Sequence, residues 1–197
     1  RQLFQLAREH AGIGHVGGMH HPQQGHLRRH QRIEFGLQRI AGGTQEIAYL
    51  GVIDGDDAVY IARSGSQRHM YAGYMLGSRV PAQVTAAGMA ILSAAGEAAS
   101  DTWLEQHTLR AFTSFTVSSK DQLRAELKRC RRQGWALSEQ QLELNHRGIA
   151  VPLLDRNNEV HGAISITMPI NQESGEDAVK RVLPVLQEAA RGLRNLI

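Results

Sequence analysis

The 197 residues are 42% hydrophobic and 21% charged, the composition of an ordinary globular chain that can bury one substantial core. The net charge of +3 is too small to predict a nucleic-acid-binding surface, and a single cysteine excludes an intramolecular disulfide. No stretch is apolar and long enough for a transmembrane helix or a secretory signal, so we expect a cytoplasmic protein without a membrane partner.

The first 32 residues predict a histidine-rich linker of unclear structure. Six of the ten histidines lie between His10 and His30, a concentration that raises the question of a metal site. No Cys and only Glu9 accompany them, and their spacing never repeats as a rigid ligand pair, so we predict neither a metal nor a cofactor. The chain starts at Arg1 without an initiator Met, which suggests a piece of a longer protein. The main domain is expected over residues 33–197.

Helical and strand patterns begin with this domain. The apolar spacing from Ile33 to Ile40 predicts a short helix that the Gly42-Gly43 pair is expected to end. Two β-branched and aromatic stretches follow at 45–53 and 58–63. Because turn-forming residues separate these stretches, they predict a β-hairpin.

Two helices are predicted in the middle of the chain. Residues 85–95 are rich in alanine and apolar on most sides, which predicts a largely buried helix. Residues 119–122 have the pattern of a capping box ahead of a second helix, which Gly134 closes. The apolar stripe of that helix runs from Leu123 to Cys130. We interpret Cys130 as a core residue rather than a nucleophile, because the neighbouring arginines point to other faces.

Three further strands are predicted at 135–138, 149–154 and 160–168, and residues 155–158 form a turn between the last two. The final helix has Pro184 inside its apolar pattern, so either the helix kinks there or one segment ends and another begins. The mixed order of hairpins and helices predicts an α+β domain built on an antiparallel sheet.

The last strand has one small, polar face. His161, Ala163, Ser165 and Thr167 alternate along the strand with larger apolar side chains. This face fits the solvent-exposed side of an antiparallel sheet, or it fits the floor of a pocket whose two hydroxyls bind a polar ligand. Taken alone, the strand favours the solvent-exposed alternative.

The start of the alanine-rich helix shifts that balance towards a pocket. Thr85 is a possible N-cap ahead of Ala86, Ala87 and Gly88, so a ligand carboxylate could reach the unpaired N–H groups of the first turn. The alternative is that this helix packs closely on the sheet. Close packing and ligand access to the first turn are compatible. The sequence contains no phosphate-binding loop, zincin motif or nucleophile elbow, and we do not expect an enzyme.

Several segments, in order and spacing, resemble the effector-binding domain of IclR-type bacterial transcriptional regulators. They are GSRVPA at 77–82, TAAGMAILSA at 85–94, RAFT at 110–113, RQGWA at 132–136, RGIAVPLLD at 147–155 and GAISIT at 162–167. Each segment alone is a weak signal. Together they cover residues 45–197, and they are the basis for the family resemblance.

The resemblance implies a fold similar to GAF and PAS sensors, with a curved antiparallel sheet flanked by helices and a small-molecule pocket on its concave face. It implies that a bound carboxylate contacts the backbone at Ala86 and Ala87, groups near Ser138 and Gly148, and the hydroxyls of Ser165 and Thr167. With the possible N-cap Thr85, these make seven predicted ligand-binding positions. Some family members carry Asp at the Ser138 position and Cys at the Gly148 position, so this pocket should have its own ligand preference.

The resemblance also implies partners. Residues 140–144 (QQLEL) resemble the Q-E-L-E-L segment of regulators of aromatic-acid breakdown, which suggests an aromatic or dicarboxylic acid as the effector. DNA would be bound only through a winged helix-turn-helix absent from this chain, and a homodimer or homotetramer is expected. Two alternatives stay open, which are a small metal-dependent enzyme and a GAF-like sensor of another signalling protein.

Overall fold

The computed structural model of the protein describes residues 24–65 and 73–195. The predicted linker up to residue 23, including most of its histidines, lies outside these ranges. Helix α1 (Gln24–Thr44) starts before the predicted position and continues through Gly42 and Gly43. The predicted stop at these glycines is wrong. The backbone instead turns at Gln45, whose φ of 60° is left-handed and whose N–H still donates to Ala41 O at 2.9 Å.

Within residues 24–65 and 73–195, six antiparallel strands form one curled sheet in the order β3-β2-β1-β6-β5-β4. The strands are β1 (Ile47–Asp54), β2 (Asp57–Ser64), β3 (Arg79–Pro81), β4 (Ala136–Glu139), β5 (His146–Leu154) and β6 (Val160–Pro169). The predicted β1–β2 hairpin is confirmed, and its tight turn uses Gly55 at a φ of 63°. The predicted α+β class with a curved antiparallel sheet is likewise confirmed.

Four more helices complete the described fold. They are α2 (Ala86–Ala94), α3 (Glu97–Gln106), α4 (Lys120–Gln133) and α5 (Gly175–Leu193). Helix α5 runs without interruption through Pro184, so the alternative of two separate segments is wrong. Over residues 24–65 and 73–195, every helix is too short or too polar to cross a lipid bilayer.

The sheet is covered on both faces. Helices α1 and α5 pack on the face that carries Leu50, Ile164 and Ile166. Helix α2 packs on the opposite face, which carries Tyr49 and Ala163, and helices α3 and α4 pack on α2. The side chains that point to the two faces alternate along β6, as the sequence predicts. Because the small, polar side of β6 lies beneath α2, its interpretation as a solvent-exposed face is wrong.

Helix α4 fastens the second layer. Leu123, Leu127 and Cys130 are all buried, and Gly134 ends the helix at a φ of 79° with its N–H donating to Cys130 O at 2.8 Å. The predicted capping box is wrong, because the Ser119 side chain makes no capping hydrogen bond. The helix therefore derives its stability from its buried stripe rather than from its first turn.

Cys130 should be chemically inert in the folded protein. Burial, followed by the nearby Glu126 carboxylate, raises the pKa of its thiol to about 12. At pH 8 we expect alkylation by iodoacetamide to be roughly a thousandfold slower than for an ordinary thiol, because only the thiolate reacts. Mass spectrometry measures the rate, and denaturant should restore fast labelling. Fast labelling without denaturant would show that α4 opens readily.

Candidate ligand-binding site

A cavity lies between the start of α2 and the end of the sheet formed by β4, β5 and β6. It has about 410 Å³ of space free of protein atoms, part of it open to solvent. The lining contains all seven positions that the sequence proposed as a carboxylate site. They are Thr85, Ala86, Ala87, Ser138, Gly148, Ser165 and Thr167. The fold thus brings together residues that are up to 82 positions apart in the chain.

The first turn of α2 supplies backbone donors. Thr85 is in an extended conformation and caps the helix, since its Oγ1 accepts from Gly88 N at 3.2 Å and its carbonyl accepts from Met89 N at 2.9 Å. The N–H groups of Ala86 and Ala87 precede any acceptor inside the helix, and no described residue accepts from them. These two N–H groups and the positive end of the helix dipole favour an anion.

Two glycines allow α2 to pack closely, one against the sheet and one against the turn before the helix. A Cβ added to Gly148 on β5 would lie 3.2 Å from the Ala86 Cβ, so a side chain there would press on the first turn of the helix. A Cβ on Gly88 would lie only 2.2 Å from Ala82 O, in the turn of 3-10 helix that precedes α2 (Ala82–Val84). The close packing that the sequence suggested is therefore present at the first turn of α2, where Ala86 and Ala87 are 4% and 1% exposed.

Ser165 lies on the floor of the cavity. Its residue is 2% exposed, and its Oγ has no hydrogen-bond partner of normal geometry among the described residues. Ser165 is paired with Tyr49 on one side and Ala150 on the other, so β6 holds it rigidly in the middle of the sheet. Thr167, two residues further on, is half-buried on the same face. The Tyr60 phenol interacts with the Ser165 hydroxyl without making a hydrogen bond of normal geometry. A buried hydroxyl that lacks a normal hydrogen bond is costly, which makes Ser165 a candidate donor to a ligand.

Ser138 lines the cavity in a different role. Its hydroxyl donates to Val84 O at 2.6 Å, so its proton is already engaged. Only the lone pairs of Oγ remain, and they cannot donate to a carboxylate. The contact instead ties edge strand β4 to the segment that leads into α2.

An aromatic wall closes one side of the cavity, and the sequence analysis missed it. Tyr60 and Tyr74 are stacked with ring centroids 5.4 Å apart, and Tyr49 lies behind them with its centroid 4.6 Å from that of Tyr60. Burial raises the pKa of all three phenols, so they stay protonated and can donate hydrogen bonds. The alternation of β2 could have placed Tyr60 here, but it gives no information about Tyr74.

The outer wall is the segment between β4 and β5, and the loop between α3 and α4 holds it in place. Thr113 Oγ1 donates to Gln140 O and Thr116 Oγ1 donates to Gln141 O, both at 2.6 Å. The buried Gln83 amide fixes the same loop by pairing with the N–H and the carbonyl of Arg110, both at 2.9 Å. The loop therefore connects the entrance of α2 with the outer wall.

A cluster that could bind a metal lies elsewhere in the described part of the chain. One carboxylate or imidazole atom each from Asp155, Glu159 and His161 lies within 4.8 Å of the others at the β5–β6 turn. The Asp155 carboxylate already accepts from Asn157 N at 2.8 Å and from Glu159 N at 2.9 Å. Its hydrogen bond to His161 holds the pKa of Asp155 below the usual range. These bonds account for the cluster as part of the turn.

Comparisons with known proteins identify one family. Residues 26–195 match the family model described as bacterial transcriptional regulator IclR C-terminal. The chain is 33% identical over 165 residues to the Pca operon regulatory protein of Acinetobacter baylyi, covering 82% of this chain and 59% of that protein. It is also 33% identical over 158 residues to the Pca regulon regulatory protein of Pseudomonas putida, covering 80% and 54%. The chain thus spans just over half the length of these relatives.

The solved structures similar to this chain include a protein that was crystallised with a ligand. It is a double mutant of the inducer-binding domain of the transcription factor PobR from Acinetobacter, in complex with 3-hydroxybenzoic acid. The two chains superpose with a TM-score of 0.78 at 26% identity, over 85% of this chain and 98% of that one.

Proposed function

Because this chain belongs to the IclR family of bacterial transcriptional regulators and is an effector-binding domain of that family, we propose that it binds an aromatic carboxylic acid in the cavity beneath α2. The carboxylate accepts hydrogen bonds from Ala86 N, Ala87 N and the Ser165 and Thr167 hydroxyls. The ring lies against Tyr60 and Tyr74.

The buried Ser165 hydroxyl is the observation that carries this proposal. A buried polar atom without a partner costs on the order of 1 to 3 kcal/mol. Ser165 Oγ interacts with the Tyr60 phenol but makes no hydrogen bond of normal geometry, so a carboxylate oxygen would reduce the part of that cost that remains. The free N–H groups at the start of α2 line the same cavity, and both features favour negative charge. A neutral apolar ligand would leave both unsatisfied.

The aromatic part of the proposal rests on the stacked tyrosines. Flat rings pack favourably on aromatic side chains, and Tyr60 and Tyr74 both line the cavity. The structurally similar PobR domain, whose crystals contain 3-hydroxybenzoic acid, supports the same class of ligand.

In the full-length protein we propose that this binding controls DNA binding by another part of the chain, without chemical change to the ligand. The relatives of this chain are named as regulatory proteins, which supports a sensing role. The proposal includes a cytoplasmic location and a homodimer or homotetramer, as expected from the family resemblance.

Thr167→Val tests the carboxylate contact, since it keeps the side-chain shape and removes the hydroxyl. We expect the affinity for 3-hydroxybenzoate to fall roughly tenfold, which corresponds to about 1.4 kcal/mol, because a hydrogen bond to a charged group is lost. Isothermal titration measures the change. Thr102→Val is the control, because Thr102 is exposed on α3, outside the cavity lining.

Two outcomes would contradict the proposal. One is unchanged affinity in Thr167→Val. The other is that neither benzoate nor its 3- and 4-hydroxy derivatives raise the melting temperature at millimolar concentration, where a bound ligand must stabilise the folded state.

A further inference from the structure

We propose that Gln141 is a further ligand-binding residue, whose side-chain amide N–H group donates a hydrogen bond to the carboxylate of the bound acid. The nitrogen of an amide side chain only donates, so this contact favours a carboxylate, which only accepts, over the uncharged amide of the same acid. The inference rests on the proposed function, because it takes the carboxylate to lie at the start of α2.

The Gln141 side chain is held in one orientation. The residue lines the cavity and is only 8% exposed. Its Oε1 accepts from Val117 N at 3.2 Å, and its main-chain carbonyl accepts from Thr116 Oγ1 at 2.6 Å. A backbone N–H can bond only to the oxygen of an amide side chain, so Val117 determines which end is Oε1 and which is Nε2. The two ends cannot exchange places without breaking this bond.

The nitrogen of this side chain is a donor without a partner. Among residues 24–65 and 73–195, none accepts a hydrogen bond from Gln141 Nε2. Unlike Ser165 Oγ, this nitrogen is not sealed from solvent, and the cavity is the open space that Gln141 lines. A nearly buried amide that bonds through its oxygen alone still has two N–H groups to satisfy. A ligand oxygen in the cavity can accept from one of them.

Strand register places Gln141 at the end of the cavity where the carboxylate is proposed to bind. Gln141 follows β4, in which Ser138 is paired with Gly148. Gly148 is in turn paired with Thr167. A Cβ added to Gly148 would lie 3.2 Å from the Ala86 Cβ, so this row of residues lies beneath the first turn of α2. The row begins on β4, two residues or so before the segment that carries Gln141.

Hydrogen bonds through the loop between α3 and α4 give the same placement. Val117, which donates to Gln141, accepts through its carbonyl from Gln83 Nε2 at 3.5 Å. Gln83 lies two residues before Thr85, the N-cap of α2. One residue of the loop thus connects the Gln141 amide to the segment that leads into the free N–H groups of the helix.

Gln141→Glu tests the contact, because it keeps an oxygen that accepts from Val117 N and replaces the N–H donor by a second oxygen. We expect the affinity for benzoate to fall at least tenfold, since a donor to the carboxylate is lost and a like charge takes its place. Benzamide should bind no more weakly than before, because its own amide can donate to the new carboxylate. Isothermal titration measures benzoate binding, and thermal shifts at millimolar concentration compare the two ligands.

Gln38→Glu is the matched control. It makes the same substitution at an exposed position on α1, outside the cavity lining, so both ligands should bind as they do to the parent protein. A loss of benzoate affinity equal to that of Gln141→Glu would mean that only overall charge matters, which overturns the role of Gln141.

Gln141→Met is a second variant, which removes the donor without adding a charge and serves if Gln141→Glu does not fold. We expect the affinity for benzoate to fall roughly tenfold, because a hydrogen bond to a charged group is lost. Benzamide should lose less, since a hydrogen bond to a neutral acceptor is weaker.

The results separate this inference from the proposed function. If benzoate binds the parent protein and both Gln141 variants equally well, Gln141 does not contact the carboxylate, and the site at the start of α2 stands. If the variants weaken benzoate and benzamide to the same extent, Gln141 only positions the outer wall, which also overturns the inference. If neither benzoate nor 3-hydroxybenzoate binds the parent protein, both proposals fall.

Discussion

Replacing Ser165 by Ala should weaken the binding of an aromatic carboxylate by roughly 1.5 to 3 kcal/mol, the range for a hydrogen bond to a charged group. The same change should leave the ligand-free protein equally stable or slightly more stable. The reason is that the buried Ser165 Oγ makes no hydrogen bond of normal geometry among the described residues. Its interaction with the Tyr60 phenol falls short of one, so removing the hydroxyl takes away a desolvation cost at little expense. Isothermal titration and urea unfolding measure the two effects.

Ser100→Ala is the matched control, because it should have the reverse outcome, a loss of stability without a loss of affinity. Ser100 is also buried, but its Oγ donates to Gly96 O and accepts from Arg131 Nη2, both at 2.9 Å. Its removal should cost about 1 to 2 kcal/mol of stability and leave ligand affinity unchanged. A similar loss of stability in Ser165→Ala would show that its hydroxyl makes a full hydrogen bond within the protein, for example to the Tyr60 phenol, and the main support for the carboxylate site would be lost.

Gly88→Ala should destabilise the protein by about 3 kcal/mol or more, although alanine favours helices. The added Cβ would lie 2.2 Å from Ala82 O and 2.5 Å from Ala82 Cα, and backbone atoms cannot move aside as a flexible side chain does. Helix α2 must then separate from the turn before it, which also displaces the Ala86 and Ala87 N–H groups. We therefore expect ligand affinity to fall with stability.

Gly42→Ala makes the same chemical change with the opposite expected sign. Gly42 lies inside α1 with nothing within 4 Å of its added Cβ. Alanine there should stabilise the protein by about 0.5 to 1 kcal/mol, because it reduces the conformational freedom of the unfolded chain. Circular dichroism during urea unfolding compares the two variants. A cost below about 1 kcal/mol for Gly88→Ala would mean that α2 packs less closely than the structure shows.

Elements defined by local patterns were predictable from the sequence. The β1–β2 hairpin follows from turn residues between two alternating stretches, and the buried stripe of α4 follows from helical spacing. Helix ends were less predictable because distant packing and backbone geometry decide them. Helix α1 passes Gly42-Gly43 and ends at Thr44, just before Gln45 turns left-handed, and Ser119 does not cap α4 although its motif is present.

The candidate site was predictable in part, and the family resemblance supplied much of it. Its seven positions do converge on one cavity. Side-chain bonds across long sequence separations could not be read from the sequence, such as the Ser138 bond to Val84, 54 residues away. Tyr74, Glu143 and His146 were missed for the same reason, because the curl of the sheet and the loops around it bring them to the cavity. Whether the seven positions bind a carboxylate stays a prediction.

The two strands at the ends of the sheet have a consequence for aggregation. Edge strands β3 and β4 are only three and four residues long, and Pro81 in β3 has no N–H to donate. Long, flat edges allow a neighbouring molecule to add a strand, whereas short edges and proline prevent it. At high protein concentration the folded domain should therefore resist growth into fibrils by strand addition. Any assembly of copies should form through helix faces and side chains instead.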